Sequence, residues 1–334
     1  MTRTLRLDRR QTLASGLAMA LGSAAPAWAD ERRDFKMFDG HLHLVSDDLV
    51  RYPRTTISPP GAIGPGGPPA PGASVQVGQP RLVPTAEQAL RWMDEAGVEV
   101  AAAVQRRSSY ALDNSYILAS AQAHPDRFWS VVVLEAADAA TPGMIRDLAT
   151  TRKIAGLRIT GTREPDGSYP WLNSDAALAT WAVMDALGLT MDLIYAPQQF
   201  SPEALTAILG MARRFPRVRI VIDHVGWSRI EGAPGYGLGD QPAGLVTQPN
   251  VHFKFTTGNL NILLEARIPA SGFLRHAVDK LGKNRVMWGS DMGSSHGTYA
   301  DMVSRAWAAA ALLTPAEQRA VFRDTGRAAF IRRA

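Results

Sequence analysis

Two histidines one residue apart are the first residues of this chain whose types and spacing could do chemistry. His41 and His43 follow an apolar segment and a glycine in "MFDGHLHL". On a β-strand, residues two apart point to the same face, so both imidazoles would converge on one point. Converging imidazoles bind a metal ion or donate hydrogen bonds to a carbonyl oxygen, and a structural role in the core is the third alternative.

A carboxylate and a third histidine follow two later apolar segments. Asp291 follows "VMWGS", where it would ligate a metal or deprotonate water, unless it caps the next helix. His224 follows "IVID" and would complete the cluster with His41 and His43. Asp223 directly precedes His224, so strand alternation points it the opposite way and favours a structural salt bridge.

Arginines form the second group of candidates. Arg158 lies within the apolar segment "AGLRIT", and a buried guanidinium needs either a carboxylate partner or an anionic substrate. The carboxylates that would serve as partners are Asp192 and Asp223. Arg106 and Arg107 are adjacent, so we expect only one of the two to face inward.

The elements that position these residues alternate between short apolar segments and amphipathic ones. The predicted strands are Lys36–His41, Val98–Gln105, Phe128–Leu134, Ile154–Thr160, Leu189–Tyr195, Val218–His224, Val251–Thr256 and Arg285–Asp291. This alternation predicts an α/β fold, a single-domain (β/α)8 TIM barrel. A doubly wound sheet would carry a glycine-rich phosphate turn after an early strand, and the sequence has no GxGxxG there. The candidates follow strands, so a barrel would gather them at its C-terminal face.

A long segment rich in proline and glycine, Pro53–Pro84, follows the first predicted strand. Such a composition predicts a loop rather than a packed element. In a barrel this loop would lie over the C-terminal face, as a lid on the site or as a disordered insertion.

The N-terminal 29 residues have the layout of an export signal. Arg9 and Arg10 precede a moderately apolar run, and Ala27-Trp28-Ala29 follows it as a cleavage site. We therefore predict a twin-arginine signal peptide over residues 1–29, a barrel domain over residues 30–334 and a periplasmic location. The apolar run is too short and weak for a membrane span, and no other segment resembles one.

Charge and cysteine content exclude further classes. The leader carries four arginines and one aspartate, so only +2 of the formal charge of +5 belongs to the domain. That balance, without a basic stripe, does not indicate a nucleic-acid partner. The chain has no cysteine, which excludes disulfides, thiolate metal sites and a cysteine nucleophile.

Taken together, the strand-end motifs resemble the amidohydrolase superfamily. They are most similar to the amidohydrolase-related branch that includes 2-pyrone-4,6-dicarboxylate lactonase, 4-sulfomuconolactone hydrolase and fuconolactonase-like proteins. The matching motifs run in order from Phe38 to Asp291: "FDGHLHL", "VQRRSSYALDNSYILASAQAHPDRFWSVVVL", "AGLRIT", "RFPRVRIVIDHVG", "VHFKFTTG" and "RVMWGSDM". The resemblance implies a TIM barrel that hydrolyses a lactone or a related ester.

The resemblance also implies roles for individual residues. His41, His43 and His224 would polarise the carbonyl group or hold a metal ion that does so, and Asp291 would deprotonate the attacking water. The residues implied in substrate binding are Arg158, Arg106 or Arg107, Tyr195 and Ser109.

Two departures from the family pattern narrow the metal prediction. Arg158 and "MDLIY" stand where many members carry a bridging lysine and a metal-binding histidine, so a binuclear site is not expected. One Zn²⁺ held by His41, His43 and Asp291, with or without His224, is one alternative, and catalysis without a metal is the other. After the last strand "GSSH" replaces the usual Trp-Pro turn, which makes His296 a further candidate substrate contact.

The predicted function is a lactonase that opens a small carboxylate-bearing lactone by water attack. A metal-dependent decarboxylase of the same superfamily is the alternative enzyme. A periplasmic barrel that binds an anionic ligand without turnover is the alternative from a different class. The sequence leaves the substrate, the metal and the oligomeric state open.

Overall fold

A computed structural model describes residues 34–55, 82–151, 154–160, 163–194, 202–227, 230–238 and 244–331. The predicted signal peptide, Tyr195 and most of the proline- and glycine-rich loop lie outside these residues. The described elements belong to one compact unit, Arg33–Ala334.

Eight parallel strands form the barrel in chain order, each hydrogen-bonded to the next. They are β1 (Met37–Leu42), β2 (Val98–Val104), β3 (Phe128–Val133), β4 (Gly156–Thr160), β5 (Thr190–Ile194), β6 (Arg219–Ile222), β7 (Val251–Thr256) and β8 (Val286–Gly289). The strands are rich in Val, Ile, Leu and Phe and almost wholly buried, as parallel strands covered on both faces require. The predicted (β/α)8 barrel is confirmed.

Helices follow the strands and cover the outside of the barrel. Those of the first half are α1 (Ala86–Glu95), α2 (Arg107–Tyr110), α3 (Ser115–Ala123), α4 (Thr141–Thr151), α5 (Pro170–Asn173) and α6 (Asp175–Leu187). Those of the second half are α7 (Pro202–Arg214), α8 (Thr257–Glu265), α9 (Ala270–Leu281), α10 (Tyr299–Ala309), α11 (Pro315–Arg319) and α12 (Thr325–Phe330). Within the described part of the chain, no helix combines the length and apolar character that crossing a bilayer needs.

The last helix closes the N-terminal end of the barrel. The ring of Phe330 in α12 stacks on Phe38 of β1, with centroids 6.2 Å apart and planes 9° apart. The carbonyl oxygen of Ala329 accepts hydrogen bonds from Thr190 of β5 and Arg219 of β6. Thr190 and Arg219 are the first residues of their strands, so α12 covers the end of the barrel opposite to the C-terminal strand ends.

The seam between β8 and β1 is made by one buried carboxylate and by the backbone beyond the strands. Oδ1 of Asp39 accepts the backbone N–H groups of His41 (2.9 Å) and Ser290 (2.8 Å), and Oδ2 accepts the hydroxyl of Tyr299 (2.9 Å). The backbone N–H of Asp291 donates to the carbonyl of His41 at 2.8 Å. The two strand ends that carry candidate catalytic residues are therefore tied directly to each other.

Two predicted strand ends are wrong at the positions that matter for the site. We predicted strands through His224 and Asp291, but β6 ends at Ile222 and β8 at Gly289. His224 has φ 53° and Asp291 has φ 55°, a left-handed conformation that cannot continue a strand. Such strained backbone at strand ends occurs most often at functional sites.

Candidate active site

Close approach of β1 and β8 brings the first histidine pair beside Asp291. A methyl group placed on Gly289 would lie 2.7 Å from the Cβ of His41, so only glycine fits there. Gly293, with φ +94°, makes a similar approach of 2.8 Å to the Cβ of His43. The backbone N–H of His43 donates to the carbonyl of Met292 at 3.0 Å, which fixes the register.

The side chains of these residues form one cluster. The Nε2 atoms of His41 and His43 lie 3.2 Å apart. Oδ1 of Asp291 lies 3.6 Å from the Nε2 of His41 and 3.8 Å from that of His43. The structure thus brings together the three residues that the sequence proposed as metal ligands or as carbonyl-binding and base groups.

His224 joins the cluster from a left-handed turn after β6. Its ring centroid lies 5.5 Å from that of His41. His224, Val225 and Gly226 have φ values of 53°, 50° and 70°. Because this turn breaks strand alternation, Asp223 and His224 both reach the barrel interior, and our prediction that Asp223 points the opposite way is wrong. Asp223 does form a salt bridge, as predicted, but inside the barrel.

The contacts behind each histidine set its orientation. Nδ1 of His43 donates to the carbonyl of Val104 at 2.9 Å, so a neutral His43 presents an unprotonated Nε2. Nδ1 of His224 lies 2.6 Å from the hydroxyl of Thr256, which in turn donates to Oδ1 of Asn259 at 3.3 Å. The side-chain amide of Asn259 also donates to the carbonyl of His224 at 2.8 Å. Asn259 therefore contacts both the backbone of His224 and the hydroxyl that orients its ring.

Burial keeps the three histidines neutral. It lowers the pKa of His41 to about 3, and the positive charge of Lys254 adds to this effect. Burial also lowers the pKa of His43 and of His224 well below the usual value. At neutral pH the three imidazoles therefore act as hydrogen-bonding groups or metal ligands rather than as cations.

Beneath the histidines lies a buried network of two cations and two carboxylates. Oδ2 of Asp223 accepts hydrogen bonds from the Nε (3.2 Å) and Nη2 (3.0 Å) of Arg158. Nζ of Lys254 donates to Oδ2 of Asp192 at 2.7 Å and lies 3.0 Å from Oδ1 of Asp223. Of the two carboxylates we considered for Arg158, the structure selects Asp223.

The two carboxylates of this network have different pKa values. Burial alone would raise the pKa of Asp223, but Lys254, His41 and Arg158 outweigh it and hold that pKa well below its usual value. Burial raises the pKa of Asp192 to about 7, and the nearby charge of Asp223 contributes in the same direction. Asp223 is therefore the more acidic of the two carboxylates.

The remaining candidates have different surroundings. Arg106 donates from Nε to the carbonyl of Gly293 (3.1 Å) and from Nη1 to the hydroxyl of Ser109 (2.7 Å). Arg107 instead forms a partly exposed salt bridge of 2.9 Å with Glu135. His296 is partly buried in the loop between β8 and α10. Substrate roles for these residues, and for Tyr195, remain predictions.

Two residues of the site, Lys254 and Asn259, were not predicted from the sequence. Lys254 is fully buried in β7, within "VHFKFT". A lysine in the middle of an apolar strand is a signal in itself, because a buried ammonium group needs anionic partners. Asn259 was recognisable as the third residue after Thr256 at the start of α8, where the two form a capping box.

The cluster fits a single metal ion. With metal–ligand bonds of about 2.0 to 2.2 Å, tetrahedral ligand atoms lie about 3.3 to 3.6 Å apart. The spacings of 3.2, 3.6 and 3.8 Å among His41, His43 and Asp291 are close to this range. Suitable ligand atoms of His41, His224 and Asp291 also lie within 4.8 Å of one another. The second ring nitrogen of His43 contacts the carbonyl of Val104, and that of His224 contacts the hydroxyl of Thr256. Contacts of this kind commonly orient metal-binding histidines.

Comparison with known proteins places this chain in a family. A family profile described as amidohydrolase matches residues 38–331. The L-fucono-1,5-lactonase of Burkholderia ambifaria is 30% identical over 165 residues, which are 48% of this chain and 52% of the relative. The chain thus spans about half the length of the curated relative it matches.

Solved structures share the fold at lower identity. A putative 2-pyrone-4,6-dicarboxylic acid hydrolase from Pseudomonas putida superimposes with a TM-score of 0.63 and 20% identity, over 89% of this chain and 97% of the other. The 5-carboxyvanillate decarboxylase of Novosphingobium aromaticivorans, complexed with manganese and a nitrobenzoic acid, gives 0.60 and 14%, over 90% and 97%. These likenesses show the fold alone, whereas the profile covers nearly the whole barrel. The chain therefore belongs to the amidohydrolase family, as its strand-end motifs predicted, and it is an enzyme of that superfamily.

Proposed function

We propose that this enzyme is a lactonase, which opens a small carboxylate-bearing lactone by attack of water. The observation that carries the proposal is the single cluster of His41, His43 and Asp291, in which a carboxylate oxygen lies 3.6 and 3.8 Å from two neutral imidazoles. Hydrolysis needs a base for water and an electrophilic group for the carbonyl oxygen, and this cluster offers both side by side. The partial match to an L-fucono-1,5-lactonase supports the same reaction class.

In the proposed reaction Asp291 takes a proton from water, and the water oxygen bonds to the lactone carbonyl carbon. His41, whose Nε2 can carry a proton, donates to the carbonyl oxygen and stabilises the negative charge that develops there. The ring C–O bond then breaks, and Asp291 returns the proton to the leaving oxygen, which yields a hydroxy acid. The hydroxyl of Ser295 donates to Oδ2 of Asp291 at 2.7 Å and leaves Oδ1 directed at the histidines.

Arg158 supports a substrate that carries a carboxylate. Its Nε and Nη2 are used by Asp223, whereas Nη1 donates to no group among the residues that the structure describes. A planar guanidinium with donors to spare is suited to a second carboxylate. Arg106, held by Ser109 and by the carbonyl of Gly293, supplies a second positive charge near the cluster.

We further propose that His41, His43 and Asp291 can hold one divalent ion, which when bound would polarise the carbonyl oxygen. Manganese in the decarboxylase structure supports metal binding by this fold. Measuring the metal content of the purified protein, and its activity before and after chelation, tests this part of the proposal. Full activity of a metal-free sample would show that the lactone carbonyl is polarised by histidine without a metal ion.

The reaction is tested with a panel of five- and six-membered lactones, with and without a carboxylate. We expect release of acid, incorporation of one ¹⁸O from labelled water into the new carboxylate, and a preference for carboxylate-bearing rings. Aromatic acids form the comparison panel, because a structural neighbour is a decarboxylase. Carbon dioxide release without lactone hydrolysis would replace the lactonase by a decarboxylase, and tight binding of a small acid without turnover would indicate a binding protein.

We also propose that residues 1–29 direct export to the periplasm, from the paired Arg9 and Arg10 and the Ala27-Trp28-Ala29 site. Cell fractionation of the full chain and of an Arg9→Lys/Arg10→Lys variant tests this. The wild type is expected in the periplasmic fraction with a shortened N-terminus, and the variant in the cytoplasm at full length. Equal distribution of the two would contradict the proposal.

A further inference from the structure

Lys254 occupies the centre of a second, inner group of ligand atoms. Its Nζ lies 2.7 Å from Oδ2 of Asp192, 3.0 Å from Oδ1 of Asp223 and 3.0 Å from Nδ1 of His41. All four side chains are fully buried. The three partners have ligand atoms within 4.8 Å of one another, a spacing that could hold a metal ion, and the lysine ammonium group lies among them.

We propose that Lys254 is a built-in cation that fills this inner site and fixes the proton of His41 on Nε2. Lys254 is then a positioning residue: it determines how His41 meets a ligand without meeting the ligand itself. The proposal deepens the function proposed above, because it assigns His41 as the donor to the carbonyl oxygen. Its tests do not depend on turnover, so the two can fail separately.

The directions of the hydrogen bonds determine where the ring proton of His41 lies. An ammonium group can only donate, so Nδ1 of His41 must accept from Lys254, and the ring proton of neutral His41 lies on Nε2. His43 donates from Nδ1 to the carbonyl of Val104, so its Nε2 must accept. The Nε2–Nε2 distance of 3.2 Å then fits a hydrogen bond from His41 to His43 while no substrate is bound, and a bound carbonyl oxygen would take the place of His43 as the acceptor. The hydrogen bonds thus run in one direction, from Lys254 through His41 and His43 to the carbonyl of Val104.

The other tautomer of His41 has a different partner. Oδ1 of Asp223 lies 3.3 Å from Nδ1 and would accept a proton from it. The unprotonated Nε2 atoms of His41 and His43 would then face each other at 3.2 Å, an arrangement that a cation between them stabilises. One ring nitrogen thus has a donor and an acceptor within reach, and the choice between them decides whether His41 donates to a carbonyl oxygen or ligates a metal.

Lys254 favours the donating state in two ways. It offers the shorter contact to Nδ1, and its positive charge opposes a second cation on the far side of the ring. We therefore expect the cluster of His41, His43 and Asp291 to bind a divalent ion more weakly than it would without Lys254. Groups behind a metal-binding histidine commonly change metal affinity by about 10- to 100-fold.

The test compares the wild type with Lys254→Met/Asp192→Asn, which removes one charge of each sign and leaves Asp223 paired with Arg158. Ring ¹⁵N chemical shifts, recorded on chelated histidine-labelled protein and assigned with His41→Gln, report the tautomer of His41. We expect Nε2–H in the wild type and Nδ1–H in the double variant. Zinc titration against a competing chelator should show affinity at least about tenfold higher in the double variant.

A second charge-neutral pair serves as the control. Arg275 and Glu317 form a salt bridge of 2.6 Å elsewhere in the barrel, and Arg275→Met/Glu317→Gln should leave both the His41 tautomer and zinc affinity unchanged. A wild-type His41 protonated on Nδ1 would overturn the proposal, whether or not the variants fold. So would equal zinc affinity of the wild type and a folded Lys254→Met/Asp192→Asn variant.

Discussion

Replacement of Asp291 by asparagine tests the central residue of the proposed reaction. Asparagine has the same shape and keeps an oxygen that accepts the Ser295 hydroxyl, so the fold should be retained. What is lost is the negative charge that lies 3.6 and 3.8 Å from the Nε2 atoms of His41 and His43. The change therefore separates the basicity of this group from its role in packing.

The expected loss follows from the surroundings of the site. Asp223 faces the same ring of His41 but is paired with Arg158 and Lys254, so it cannot replace Asp291 as a base for water. His41, with its pKa lowered to about 3, also is a poor proton acceptor. Loss of a general base typically costs a factor of about 10² to 10⁴ in rate, which corresponds to about 3 to 5 kcal/mol of barrier.

The assay measures kcat and KM on the best carboxylate-bearing lactone of the panel, with Tm as a check of folding. Ser295→Ala is the matched variant, because it keeps the carboxylate and removes only the hydrogen bond of 2.7 Å. We expect it to retain most of the activity, because the carboxylate that takes the proton from water is unchanged. Rates within threefold of the wild type for a folded Asp291→Asn variant would refute the role of Asp291 as the base.

Three further predictions concern the support of the site and the stability of the barrel. Thr256→Val removes the hydroxyl 2.6 Å from Nδ1 of His224 and should lower kcat/KM by about tenfold, together with a lower Tm because Thr256 also caps α8. An unchanged kcat/KM would show that this contact does not orient the ring. Gly289→Ala forces a methyl group to 2.7 Å from the Cβ of His41 and should destabilise by about 1 to 3 kcal/mol in urea unfolding, whereas Gly210→Ala, which meets nothing within 4 Å in α7, should be neutral or stabilising. Burial, with Arg285 and Arg219 nearby, lowers the pKa of His252 from 6.5 to about 4, so the unfolded chain binds the proton first and stability is lost as pH falls from about 6.5 to about 4. Relative to the wild type, His252→Gln should gain up to about 3 kcal/mol of unfolding free energy between pH 8 and pH 4, and a pH-independent difference would contradict this.

The sequence by itself determined the architecture and the residues of the cluster. Short runs of Val, Ile and Phe alternating with amphipathic segments are sufficient to predict buried parallel strands with covering helices, because each pattern has one way to bury its apolar side chains. The position of His41, His43, His224 and Asp291 after strands predicted that they would share one end of the barrel. This prediction depends only on the direction of the chain in each strand, and the structure brings all four residues together.

Only the tertiary structure decided which groups stand behind the histidines. Alternation along a strand does not predict a left-handed turn, so our prediction for Asp223 was wrong. The three residues after Asp223 have φ values of 53°, 50° and 70°, and this turn lets Asp223 and His224 both point inward. Lys254 reaches Asp192, Asp223 and His41 across strands far apart in the chain, and only barrel closure brings these residues within 3 Å. The sequence supplied the imidazoles, whereas the partner of each ring nitrogen, which determines its proton and hence its chemistry, depends on packing across the barrel.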